Sequence, residues 1–307
     1  MLRYALRRFL GAFPTLFVLM TAAFFIMRLA PGGPFDQERR VPAEVEGNLN
    51  RVYHLDEPLV QQYGRYLVNI VRGDFGPSFQ YKDFTVTELI AGGFPVSLRL
   101  GGCAIVLAFL VGALLGTWAA LRQNSWLDFA VMATAMSGIT IPTFVMAPLL
   151  SLIFGVYLSW LPVGGWGGGD LAHSVLPVIA LCLPQIAYIA RLTRGSMIEV
   201  LRSNYLRTAR AKGLPEQLTL RRHAMRAALL PVVSYLGPAI AGIITGSVVI
   251  EQIFQVPGLG RYFVQGALNR DYTLVMGVVV FYGGLIILLN LVVDLAYGLL
   301  DPRVEYR

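Results

Sequence analysis

The chain is short of charge, and the charge it has is one-sided. Of its 307 residues only 14% are Asp, Glu, Lys or Arg, against about 25% in a typical soluble domain. Lysine is nearly missing: Lys82 and Lys212 are the only two, so arginine supplies the rest of the 25 basic residues. So little polar surface excludes a water-soluble globule, and a hydrophobic content of 56% points to membrane embedding. Cysteine is scarce as well. Cys103 and Cys182 both sit in apolar runs and read as small hydrophobes rather than a disulfide framework. His54, His173 and His223 are scattered, with no metal-ligand spacing. No GK[ST] follows a strand, so the chain lacks the loop that cradles nucleotide phosphates and is not an ATPase by itself. The net charge of +7 could suggest nucleic acid, but in a membrane chain the placement of charge matters more than its total, and no nucleic-acid partner is expected.

What is present is long apolar runs. A bilayer core about 30 Å thick needs about 20 apolar residues per helix, and six stretches qualify: roughly 9–30, 100–121, 128–158, 175–193, 230–255 and 273–298. The first follows Arg3, Arg7 and Arg8, but its apolar core is longer than that of a cleaved signal and reads as an uncleaved helix. The expected fold is therefore all-α, with six transmembrane helices. Orientation follows from arginine. Loop 159–174 has no Lys or Arg, whereas 191–226 carries nine basic residues against Glu199 and Glu216. The positive-inside rule then places both termini and the basic segment in the cytoplasm.

The expected organisation is a tail and first helix over 1–30, an extracytoplasmic subdomain over 31–96, a five-helix core over 97–300 and a cytoplasmic tail over 301–307. In the subdomain, Pro58 opens a helical pattern with Leu59, Tyr63, Tyr66, Leu67 and Ile70 on one face, and Gly73 closes it. Pro142 and Pro148 in the third run, and Pro177 and Pro184 in the fourth, predict kinked spans around a cavity. The third run is too long for one straight crossing. The cluster GGWGGG at 164–169 reads as a flexible turn rather than a phosphate loop. Glu251 and Asp294 lie within spans and are expected to pair helices; Arg28 and Arg99 lie near span ends.

The basic segment about 194–229 is the candidate functional site. On a continuous helical wheel Glu199, Arg202, Ser203, Arg207 and Arg210 share one arc, and Met197, Leu201, Tyr205 and Ala209 the opposite one. Leu206 falls within the polar arc, where it reads as an apolar knob for insertion into a partner. Binding to anionic lipid would explain the arginines but neither Leu206 nor the stop at Gly213-Leu214-Pro215. Gly213 is expected to end the helix at positive φ.

YLRTARAKGL followed by RRHAMRAALLP resembles the cytoplasmic "EAA" loop of permease subunits in binding-protein-dependent ABC importers, with Gly213 at the motif's fixed glycine. Arg207 and Thr208 stand where that motif usually has Glu and Ala, and the longer spacing to Pro231 is similar to the peptide-importer branch. MRLAPGGPF, YHLDEPLVQQYGRYL, GDFGPSFQYKD, LTRGSM, PGLGRYF and ALNRDY extend the resemblance over nearly the whole chain. The resemblance, to the B-type permeases of oligopeptide importers, implies the type I importer fold in a bacterial inner membrane. It implies a second homologous permease, two cytoplasmic ATP-binding subunits that hold ATP and Mg, an extracytoplasmic peptide-binding protein, surrounding lipid, and no cofactor in this chain. It implies that Tyr205, Leu206, Arg207, Thr208, Ala209, Arg210, Ala211, Gly213 and Leu214 couple to an ATPase. Importers of dipeptides, glutathione or nickel share the architecture. An ion-driven transporter working alone, or a scaffold without transport, are the readings from other classes.

Overall fold

The computed structural model describes residues 2–29, 47, 51, 53–81 and 83–300, without the side chains of 2–9, 245, 246 and 294–300. Among these residues the fold is helical, with only an isolated antiparallel bridge between Pro77 and Thr85. In order come α1 (Leu2–Leu29), α2 (Leu59–Val71), α3 (Val86–Leu121), α4 (Trp126–Thr140), α5 (Thr143–Leu150), α6 (Leu171–Leu201), α7 (Asn204–Ala211), α8 (Leu230–Ile253), α9 (Leu259–Leu268) and α10 (Tyr272–Leu300). Short helical turns over Glu216–Leu218, Thr219–Ala224 and Met225–Ala228 join α7 to α8. The N-terminal arginines, most of the segment 30–52, the Asp294 side chain and the tail 301–307 lie outside the described residues.

Among the described residues five helices are long and apolar enough to cross a membrane: α1, α3, α6, α8 and α10. The sixth expected span is broken. Trp126–Thr140 and Thr143–Tyr157 meet at 104°. Each leg has 15 residues, about 22 Å at 1.5 Å per residue, short of the ~30 Å core. The break falls where a proline forces its predecessor out of the helical region: Ile141 is extended at φ −88, ψ 117 ahead of Pro142. The other prolines do not divide their helices. Pro148 lies inside α5, and Pro177 and Pro184 lie inside the 31-residue α6.

α3 starts well before its apolar run. The Thr85 hydroxyl accepts from the Glu88 amide at 3.2 Å, and Glu88 accepts from the Thr85 amide at 2.8 Å. This reciprocal cap starts a 36-residue helix at Val86. It is about 54 Å long, so its first turns project beyond a bilayer core. The boundary at 96/97 therefore falls inside one helix.

α3 and α6 form the most extensive helix pair. Gly112 and Gly116, four apart on α3, let the two backbones touch. A Cβ at Gly112 would lie 2.8 Å from the Ile189 Cβ, and one at Gly116 2.4 Å from the Ala190 carbonyl oxygen. This is the small-xxx-small seam that packs helices closely in lipid. The main core joins α3, α5, α6 and α8 around Leu100, Ala104, Leu176, Ile189 and Ile250. A second core joins α3, α8, α9 and α10 through Val86, Ile244, Leu259 and Leu274. α2 rests on α1, where Tyr63 donates to or accepts from Thr21 at 2.6 Å and Tyr63 and Tyr66 stack on Phe24.

Candidate functional site

The basic segment emerges from α6 at one end of the bundle. The helix stops at Leu201, and Ser203 turns the chain with extended backbone, φ −71 and ψ 150. A new helix, α7, begins at Asn204. The turn resets the helical phase, so a wheel drawn continuously from 197 to 210 fails there. Leu206 does not project as a knob. It is 0% exposed and sits among Ala120, Met197, Ala224 and Ala228 of the same chain. The expectation that it enters a partner's groove is corrected: Leu206 anchors α7 to the bundle. Tyr205, on the supposed buried arc, is 46% exposed, with its hydroxyl 3.5 Å from the His223 carbonyl. Arg207, Thr208, Arg210 and Ala211 are exposed; Ala209 is half-buried.

Gly213 ends α7 at φ +78, in the left-handed region, as expected. Its amide donates to the Arg210 carbonyl at 2.9 Å, and the Leu214 amide to the Ala209 carbonyl at 3.4 Å. This pair of bonds is the Schellman arrangement, with Gly213 one residue past the cap. Beyond the turn, Arg210 donates through Nε and Nη2 to both oxygens of Glu216, at 3.1 and 2.8 Å. That fork holds the Glu216 carboxyl below its usual pKa. Arg210 is thus paired locally. Arg202 donates to Gln123 at 3.0 Å, which joins the loop to the α3–α4 connection. Arg207, Lys212, Arg221, Arg222 and Arg226 are exposed, and none forms an ion pair among the described residues. The result is a cationic surface stiffened from below by an apolar anchor.

Arg194 has a different role from its neighbours. It donates through Nε and Nη2 to the two oxygens of Asp128, both at 2.6 Å, and Asp128 is 1% exposed. Asp128 also accepts from the Asn124 amide at 3.0 Å, so the pair ties α4 and its preceding turn to α6. The sequence reading overlooked Asp128. Its local sign was Ser125, whose hydroxyl accepts from the Asp128 amide as a helix cap; its partner, 66 residues away, left no sign.

At the opposite end, buried carboxylates join helices. Glu251 is fully buried and accepts from the Ser247 hydroxyl at 2.6 Å, the Gly260 amide at 2.8 Å and the Arg261 amide at 3.3 Å. The Leu259 amide donates to the Ser97 hydroxyl at 2.9 Å. Side chains from α8 and α3 thus satisfy the first amides of α9, the pairing role expected of Glu251. Gly258 and Gly260 of PGLG are needed because a Cβ would lie 2.3 Å from the Glu251 carboxyl and 2.5 Å from the Val248 Cα, respectively. Asp271, also missed, is fully buried. It caps α10 through the Leu274 amide at 3.1 Å, and accepts from the Ser78 hydroxyl and the Phe79 and Gln80 amides, the last two at 3.1 and 3.2 Å. GDFGPSFQ and ALNRDY, far apart in sequence, therefore form one joint. An acid directly before an apolar run is the helix-start signal that could have marked it.

GGWGGG is not a loose turn. The Gly165 amide donates to the Phe254 carbonyl at 2.7 Å, and Gly169 packs on Arg99, whose guanidinium lies over the Trp166 ring at 5.6 Å. Asp170 then caps α6 through the His173 amide at 2.9 Å, which lowers the carboxyl's pKa. Among the described residues no group of three His, Cys, Asp or Glu could hold a metal ion.

Comparison with known proteins covers the full length. A family model described as "Binding-protein-dependent transport system inner membrane component" matches residues 112–306, and the model for the N-terminal part of such components matches 1–101. The chain is 56% identical over 306 residues to the oligopeptide transport system permease protein OppB of Salmonella typhimurium, with 100% of each chain covered. It is 47% identical to the dipeptide transport system permease protein DppB of Bacillus subtilis, with 99% of this chain and 98% of the other covered. Among solved structures, an inward-facing MetNI methionine ABC transporter aligns with a TM-score of 0.60 at 17% identity, over 69% of this chain and 96% of that one. That alignment speaks for the fold, and the full-length identities for descent: the chain belongs to the family of binding-protein-dependent transport system inner membrane components.

Proposed function

We propose that the chain is a membrane subunit of an ATP-driven oligopeptide importer, multi-pass in a bacterial inner membrane. The observation that carries this reading is the 56% identity to an oligopeptide permease over all of both chains. In this reading both termini and the basic segment face the cytoplasm, as the arginine distribution requires. A second homologous permease completes the path, an extracytoplasmic protein delivers the peptide, and two cytoplasmic subunits bind ATP and Mg. This chain does no hydrolysis, since its sequence has no P-loop.

The residues from Tyr205 to Leu214 form the coupling surface. Tyr205, Arg207, Thr208, Arg210 and Ala211 are exposed and available to an ATPase. Leu206 and Gly213 set the position of that surface rather than touching the partner. The described outer residues, 53–81, give a delivery protein an ordered platform, held on α1 and α10. A dipeptide importer is the second reading, supported by the 47% identity to a dipeptide permease.

The test is purification of the chain with its neighbours, followed by reconstitution in vesicles with the delivery protein. Co-purified ATPases, and hydrolysis and uptake stimulated by oligopeptides, are the expected results. Stimulation by dipeptides alone selects the second reading. Transport by the isolated chain along an ion gradient would sink both.

A further inference from the structure

α1, α2, the residues 74–79 and the start of α10 line an open-sided cavity of about 160 Å³, away from the basic segment. Its polar groups are placed without being satisfied. Arg28, in the last turn of α1, is half-buried, with its guanidinium 5.7 Å from the centre of the Phe24 ring and 5.8 Å from that of Tyr272. Its Nε is buried and has no hydrogen-bond partner among the described residues. Gln62 is 8% exposed, and its amide nitrogen donates to the Leu55 and Glu57 carbonyls at 3.1 and 2.7 Å. Its Oε1 is buried and unpartnered, as is the Tyr66 hydroxyl. Native interiors leave few such groups, and here three of them line one cavity.

The lining specifies a ligand. Arg65 is already neutralised by the two oxygens of Glu57, at 2.7 and 2.9 Å, and Asp74 adds a negative wall. The field left by Arg28 therefore suits one negative charge rather than a dianion such as phosphate. Gln62 Oε1 needs a donor close to that charge, and Phe24, Phe75 and Met276 offer apolar walls. A carboxylate, an adjacent N–H and an apolar side chain are what the last residue of a peptide carries.

We propose that this cavity binds the carboxy-terminal residue of a peptide. Its carboxylate sits on Arg28 and Tyr66, its amide N–H donates to Gln62 Oε1, and its side chain lies between Phe24, Phe75 and Met276. The choice of a peptide over other amphiphilic carboxylates rests on the importer reading above.

The test uses the full chain in nanodiscs at neutral pH, with amino-terminally fluorescein-labelled Ala-Ala-Leu followed by anisotropy. Unlabelled Ala-Ala-Leu should compete ~10-fold or more better than the same tripeptide with an amidated carboxy terminus, since charge-assisted bonds to Arg are the strong ones. Arg28→Gln should abolish that difference. Gln62→Leu should weaken both competitors severalfold, and Arg191→Gln, at an exposed arginine elsewhere, should change nothing. Equal competition by acid and amide on the unaltered chain, or a preference that survives Arg28→Gln, overturns the proposal. If Arg28→Gln does not fold, Arg28→Lys takes its place, with a reduced preference expected and an unchanged one counting against the site. The measurement involves no ATP, so its failure leaves the importer reading standing; absent peptide-stimulated hydrolysis alongside acid-selective binding would sink that reading and not this one.

Discussion

Glu251 and Asp271, at one end of the bundle, are fully buried, and each takes several N–H or O–H donors, Glu251 from the turn that follows α8 and Asp271 from a segment more than 190 residues away. At the other end, Arg210 and Glu216 are six residues apart, 40% and 56% exposed, and bonded only to each other. Buried carboxylates with amide donors are worth more to folding, since each bond to a charged group contributes ~1.5–3 kcal/mol, against ~0–1 kcal/mol for an exposed pair. One end is a set of fixed joints. The other keeps most of its arginines on the surface and seats α7 through one buried apolar side chain, Leu206. A surface meant for another subunit is better built the second way, because its charges need not be pulled out of existing bonds before a partner arrives.

The strongest way to break this comparison is Asp271→Ala. It strands the Ser78 hydroxyl and the Phe79, Gln80 and Leu274 amides, and should destabilise the chain by ~3–5 kcal/mol. Thermal unfolding of the chain in detergent measures it; a loss below that of Leu206→Ala would show that the joints are not the stronger end. Leu206→Ala comes next, at ~2–4 kcal/mol for a buried leucine. Tyr205→Ala, beside it but exposed, should cost under ~0.5 kcal/mol and yet lower peptide-stimulated ATP hydrolysis in the assembled importer. If Tyr205→Ala leaves coupling intact, its exposed ring is not a contact.

Gly213→Ala isolates the backbone. A Cβ there meets nothing within 4 Å, so only the positive φ remains to be disturbed, at ~1–2 kcal/mol. A neutral result would show that α7 can end in another way. The smallest effect belongs to Arg210→Ala, within ~0–1 kcal/mol and toward the lower end because both partners are exposed. Its pH dependence has a definite sign. Glu216 titrates below its usual value in the folded chain, so the pair's contribution is present above the ordinary carboxyl range and is lost as the pH falls through the lowered value. The unaltered chain and Arg210→Ala should therefore converge in stability in acid, and a gap that widens there would contradict the pairing.

Sequence alone located the five unbroken apolar helices, the basic segment and the glycine stop, because each rests on local composition. It misplaced what depends on register or distance. The start of α3 at the Thr85–Glu88 cap lies well before the apolar run by which its span was located. Leu206 was assigned to the wrong face because the turn at Ser203 resets a wheel that residue spacing treats as continuous. Prolines were weighted equally, yet only Pro142 divides a helix into two legs. Asp128 and Asp271 were passed over because their partners lie 66 and more than 190 residues away.

The glycine seam between α3 and α6 has a mechanical consequence. α6 ends at Leu201, just before the basic segment, and α3 runs unbroken from Val86 to Leu121. With backbones touching at Gly112 and Gly116, neither helix has slack to slide or bow independently. In the proposed importer, a push on α7 therefore acts on a closely packed helix pair, whose longer member, α3, is about 54 Å long and reaches the PGLG turn at Ser97.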